Sequence, residues 1–147
     1  TPIAGVGMAA FWHSLLGVGT DGGPVTPILS WADSRALREA ERLEGEPGWA
    51  ALAARTGNVP APVSWVARLR WARTVPEFDP DRVWRWMSAA EWIQGRLCGQ
   101  WRCAIAMACA TGVMHREQAD WDPEMLALAG VDRDCERRRE HRIDWPV

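Results

Sequence analysis

FWHSLLGVGTDGGPVTPILSWADSR, residues 11–35, is the stretch whose reading decides the fold. From Ile3 through Val18 apolar residues fall on both parities, as in strands buried on both faces. TDGG (20–23) follows, and Asp-Gly is a strong hairpin signal. VTPILSW (25–31) reads as the returning strand, with Pro27 confining it to an edge or a bend. The expectation is a β-hairpin over 3–31. A hairpin apolar on both faces must be covered on both sides. The residues after it supply only one set of helices, so the sheet is expected to need strands from elsewhere.

Beyond residue 31 the pattern turns helical. Asp33 or Ser34 is expected to cap RALREAERLEG, whose apolar positions 36, 37, 40 and 43 share one side. GWAALAARTG reads as a second helix closed by Gly57, NVPAP (58–62) as an extended connector, and SWVARLRWAR (64–73) as a third helix. PEFDPDR is a loop, and VWRWM (83–87) alternates like a short strand. Ser88 and Glu91 form a capping box for a helix through Leu97, stopped by Gly99. Asp122 and Pro123 open a last helix, EMLALAG, by cap and first-turn proline. The domain reading is 3–31 strands, 33–132 mainly helical, and 133–147 a divergent tail, either a solvated helix or a frayed terminus.

Composition narrows the function classes. The chain has 147 residues, formal net charge −2, 48% hydrophobic residues, 17 basic residues that are all arginine, and 11 tryptophans. A net negative charge argues against general nucleic-acid or membrane-surface binding, which need a positive field. In the tail, Arg137–Arg139 are interleaved with acids, as on a solvated face. No apolar run approaches the ~20 residues of a membrane span. The opening TPIAGVG lacks Met and a basic leader region, which reads as a piece of a longer chain. Cys98, Cys103, Cys109 and Cys135 are unevenly spaced without a CxxC, as expected of a reduced, cytoplasmic protein.

Most motif chemistry is excluded. Cys98, Cys103, Cys109 and His115 lack the tight spacing of a zinc site, and buried thiols are the plainer reading. Ser14 beside His13 cannot form a triad by adjacency, and no G-x-S-x-G occurs. The glycines of 5–7 and 17–23 do not match a phosphate loop, which also needs the lysine this chain lacks. What remains is FWHS (11–14) with SWADSR (30–35). Indoles, an imidazole, a carboxylate and a guanidinium are the mix that binds polyols, with aromatic faces on C–H groups and forked polar groups on hydroxyls. Buried tryptophan, a capping Asp and a surface Arg are the plain alternative for the same residues.

The order FWHSLLGVGTDGGPVTPILSWADSR, ARTG, VARLRWAR, VWRWMSAAEWIQGRLCG and ACATGVM…DWDPEMLALAGV resembles the FGGY family of carbohydrate kinases over about residues 3–132, closest to its gluconokinase- and xylulokinase-like members. The resemblance implies an α/β fold: part of a ribonuclease-H/actin-like ATPase domain, a β-hairpin or small sheet followed by several helices. It implies an incomplete N-terminal, sugar-binding domain, with the phosphate loop before residue 1 and the nucleotide domain after 147. ATP and Mg2+ are implied for the complete enzyme and neither for this chain alone. The implied partners are a sugar or polyol substrate, and either the remaining kinase segments or a second copy; nucleic acid and membrane are not among them. By the same resemblance Trp12, His13, Trp31, Asp33 and Arg35 are the substrate-binding residues. Arg68 stands where members often carry lysine, in a helix that reads K-L-x-W; Val63 departs from a tyrosine or similar residue of some members, which blurs the sugar's identity.

RCAIAMACATG (102–112) carries the remaining departure. Family members commonly read D-x-S-x-A-S-x-T-G here, and that aspartate is the general base for the attacking hydroxyl. Anchored on Thr111-Gly112, the base position is Ala104, and no acid lies between Arg102 and Glu117. Two functions follow. One is a segment of an ATP-dependent carbohydrate kinase, inactive alone. The other is a non-catalytic, degenerate relative acting as a sugar-binding or regulatory module.

Overall fold

The computed structural model describes residues 2–131, so the tail expectation for 133–147 falls outside the described residues. Six helices, two short 3₁₀ turns and two small antiparallel pairs make up the described chain. Strand β1 (Leu16–Val18) pairs antiparallel with β2 (Arg85–Met87), in register Leu16–Met87, Gly17–Trp86 and Val18–Arg85. β1 is buried throughout, as the two-faced apolar pattern requires. Gly17 is needed there: a Cβ would come within 2.6 Å of a Val83 methyl and 2.8 Å of the Thr26 methyl.

The expected hairpin over 3–31 is corrected in extent. No strand forms over 3–13, where Ile3, Val6 and Phe11 are exposed. The turn does form, with Gly22 N–H donating to Gly19 O and Gly19 N–H to Gly23 O. The returning segment then pairs only at isolated points, Val18–Pro24 and Leu15–Leu29. Pro24 and Pro27 lack the amide a continuous ladder needs. The full partner of β1 is instead the VWRWM strand, far along the chain.

The helices follow the apolar spacing. α1 (Leu37–Leu43) buries Ala40 and Leu43, and Ala36 just before it is also buried. Neither Asp33 nor Ser34 caps it: the N-cap is Ala36, without a side-chain bond, because the Asp33 carboxylate is turned onto Arg35. α2 spans Trp49–Thr56 and α3 Trp65–Ala72. The segment read as a loop holds two 3₁₀ turns, Pro76–Phe78 and Pro80–Arg82. The capping box of α4 (Ala89–Cys98) is complete in both directions, Glu91 N–H to Ser88 Oγ and Ser88 N–H to Glu91 Oε2.

α5 (Ile105–Thr111) ends at Gly112, whose φ of 71° is left-handed; Asn58 lies so close that a side chain there would also collide. A pair the sequence did not announce, β3 (Met114–His115) with β4 (Asp120–Trp121), leads into α6 (Pro123–Ala129). Asp122 caps α6 as expected, accepting from Met125 N–H at 2.9 Å. α1, α3 and α6 pack around one core that includes Leu15, Leu29, Leu43, Val66, Leu69 and Met125.

Candidate functional site

The Leu15–Leu29 bridge, with reciprocal N–H···O bonds of 3.0 and 2.8 Å, holds the two candidate segments side by side. Beyond it the chain turns away on both sides, and Arg68 keeps the segments close by donating to both the His13 and the Ser30 carbonyls. The segment before Leu15 is anchored from below: buried Ser14 Oγ accepts from Ala89 N–H at the start of α4. The expected hairpin would place FWHS and SWADSR near each other, and the Leu15–Leu29 bridge holds the ends of the two segments together.

Each expected site residue has a definite place. Trp12 is 55% exposed and stacks on His13, ring centroids 5.6 Å apart and 16° from parallel. His13 has φ 53°, in the left-handed region that residues carrying a Cβ seldom adopt. Its Nδ1 is buried and has no hydrogen-bond partner. Burial first, and the Arg68 charge second, hold its imidazole below the usual histidine range and favour the neutral ring. Trp31 is 64% exposed, an open indole face at the start of the SWADSR turn.

Asp33 and Arg35 form a close pair rather than two free arms. Arg35 Nη2 lies 2.7 Å from Asp33 Oδ2, and Arg35 Nε donates to both carboxylate oxygens at 3.1 Å. That bond is the main reason Asp33 sits below the usual carboxylate range. The same guanidinium covers the Trp71 ring at 4.6 Å, which ties the turn to α3. Arg35 is thus already committed on two sides, and both Asp33 oxygens already accept from its backbone N–H or guanidinium.

Sequence reasoning did not find what joins these parts. Arg68, in the middle of α3, is 1% exposed. Its Nε donates to Pro62 O at 3.1 Å, its Nη2 to Ser30 O at 2.5 Å, and its Nη1 to His13 O. An arginine on the buried face of an amphipathic helix was the available signal.

Ala104 is the exposed N-cap of α5, with φ −70° and ψ 143° and no side-chain cap. Next to it, burial and then Glu91 push the Cys103 thiol far above its ordinary value, so it stays protonated. A cavity of about 380 Å³ lies apart from the candidate polyol residues, lined by Trp65, Trp84, Trp86, Trp101 and Trp121. None of Trp12, His13, Trp31, Asp33 or Arg35 borders it.

Among the described residues no group of three or more His, Cys, Asp or Glu could hold a metal ion. In the 17–23 glycine stretch, Gly19, Gly22 and Gly23 donate their amides within the turn itself, Gly23 to Asp21. Among the described residues no helix is long and apolar enough to cross a membrane.

Comparison with known proteins gives the family and the fold. The gluconokinase of Bacillus subtilis is 25% identical over 132 residues, 90% of this chain and 26% of that protein. The xylulose kinase of Streptomyces coelicolor is 31% identical over 134 residues, 88% of this chain and 27% of that protein. In three dimensions the gluconate kinase of Lactobacillus acidophilus matches with TM-score 0.73 and 26% identity over 83% of this chain and 25% of that one. The ligand-bound xylulose kinase of the same organism matches with TM-score 0.76 and 25% identity over 85% of this chain and 26% of that one. The chain thus spans about a quarter of the length of these relatives. The neighbours carry the actin-like ATPase fold, and the helices and small antiparallel pairs seen here are a partial α/β domain of that kind. Residues 1–136 match the N-terminal domain of the FGGY carbohydrate kinases, and the chain belongs to that family.

Proposed function

We propose that this chain supplies the sugar- or polyol-recognition part of an ATP-dependent carbohydrate kinase, with a gluconate- or xylulose-like acceptor. The observation that carries the reading is the Leu15–Leu29 pairing, which sets the Trp12–His13 stack beside the Trp31–Asp33 turn. An exposed indole on either side offers faces for C–H groups, while the half-buried His13 imidazole and the Asp33 carboxylate are the polar groups beside them. A neutral His13 can accept a hydroxyl proton's hydrogen bond at one nitrogen and donate at the other. ATP and Mg2+ belong to the complete enzyme, where they would supply the transferred phosphoryl group and its charge neutralisation. The residues described here bind and orient the acceptor. Titrating the full chain with gluconate and with xylulose tests this through tryptophan fluorescence. A saturable change that disappears in Trp31→Ala supports it, and a flat wild-type response rejects it.

Ala104 favours a second reading, in which the chain recognises a sugar without taking part in its phosphorylation. A methyl group cannot remove a proton from an attacking hydroxyl, and α5 presents no acidic side chain at its first turn. On this reading the purified chain releases no ADP from ATP in the presence of gluconate or xylulose. ADP release dependent on both substrates overturns it.

A further inference from the structure

We propose that Arg68 is the positioning residue of the candidate polyol site, acting through the backbone: its guanidinium spans the carbonyls of His13, Ser30 and Pro62 and so sets the Trp12–His13 stack against the Trp31–Asp33 turn. The proposal rests on the polyol reading for its ligand, but its geometry stands independently. The three acceptors come from three separate segments, and each takes a different guanidinium nitrogen. All three are neutral carbonyls, so the charge is solvated by backbone dipoles inside the fold.

Two details tie this clamp to ligand-facing groups rather than to general packing. His13 is held with positive φ, a conformation that persists only when its surroundings over-determine it. The bond from Arg68 to the His13 carbonyl is such a constraint, and it fixes the direction of the imidazole whose Nδ1 lacks a partner. On the other side, Ser30 O accepts from Arg68 and also from Asp33 N–H at 3.0 Å. One carbonyl therefore links the guanidinium to the turn that carries Trp31 and Asp33. Arginine suits this place because its planar fork fixes three directions at once, whereas an ammonium is a single point charge. Burial lowers the Arg68 pKa, and the Asp33 charge partly offsets this, in keeping with an enclosed cation facing the site.

The test compares the full chain with Arg68→Lys and Arg68→Met, using gluconate and xylulose as probes. Arg68→Lys is expected to keep the far-UV spectrum and to weaken polyol binding by about threefold to tenfold, since it reaches fewer than three carbonyls. Arg68→Met, with a stem and no donor, is expected to weaken binding by more than about tenfold. A second measurement needs no ligand: the amide resonances of Ser14 and Trp31, which follow the His13 and Ser30 carbonyls, shift in Arg68→Lys, while that of Gly130 does not. If Arg68→Met fails to fold, the lysine variant alone decides. Wild-type affinity together with unmoved Ser14 and Trp31 amides in Arg68→Lys overturns the proposal. If the wild-type chain binds neither probe, the polyol reading fails, and the amide shifts still decide whether Arg68 holds the two segments.

Discussion

The helical body and the aromatic face of this chain each centre on an arginine, and the two are solvated in opposite ways. In the body, Arg55 of α2 meets carboxylates: Asp122 Oδ2 at 2.5 Å and Glu124 at 3.1 Å. Asp122 also caps α6, so one buried carboxylate joins α2 to α6. Around it, Asn58 donates to Gly112 O and accepts from Ser64 Oγ, which closes the polar groups of the connector upon themselves. On the aromatic face Arg68 meets only carbonyls, His13 Nδ1 is left without a partner, and Trp12 and Trp31 stand open. Each region buries one unpartnered polar atom, Trp65 Nε1 in the core and His13 Nδ1 on the face, so what separates the two is the open Trp12 and Trp31 indoles and the way each arginine is neutralised.

Substitutions at four positions can break or sharpen this contrast. Leu43 is fully buried between α1 and the core, and Leu43→Ala is expected to cost about 2–5 kcal/mol, read as a drop in chemical-denaturation stability. Loss of the cap in Asp122→Ala is expected to cost about 1–2 kcal/mol, with the Arg55 pairing lost as well. Asp122 also has a pH signature. Arg55 depresses its folded pKa below the ordinary 3.8, so its stabilisation is fully present above that value and is lost as pH falls through the folded one. Acid titration of thermal stability should therefore be shallower in Asp122→Asn than in the wild type. An unchanged acid profile would remove Asp122 from the account of the scaffold.

Smaller effects test the face. Ala104→Asp supplies the side-chain cap that α5 lacks and is expected to stabilise the chain by about 1 kcal/mol. A lower melting temperature would show that a carboxylate is not tolerated at position 104. Trp31→Ala, at an exposed indole, is expected to change stability by less than about 0.5 kcal/mol while abolishing the polyol-dependent fluorescence change. A large stability loss there would make Trp31 part of the scaffold and dissolve the contrast.

The features legible beforehand were those written in neighbouring residues. The Ser88–Glu91 capping box, the Asp122-Pro123 start of α6 and the Gly57 and Gly99 stops all form where the sequence places them. Local backbone chemistry encodes each of these within a few residues. By contrast, α5 and its Gly112 stop were not read. The cap expected at Asp33 failed because a stronger partner, the Arg35 guanidinium two residues on, takes the carboxylate. The hairpin over 3–31 was overextended because apolar content says that a strand is to be covered without saying by what.

By itself, the sequence determined the family, most of the helix caps and stops, and which aromatic and polar residues are candidates. Tertiary structure alone decided that β1 pairs with Arg85–Met87, that Arg35 is committed to Asp33 and Trp71, and that Arg68 gathers three carbonyls beneath the candidate site. The physical reason is range. Caps and turns are set by atoms a few bonds apart, whereas a buried charge is stabilised by whichever dipoles the folded chain brings within reach.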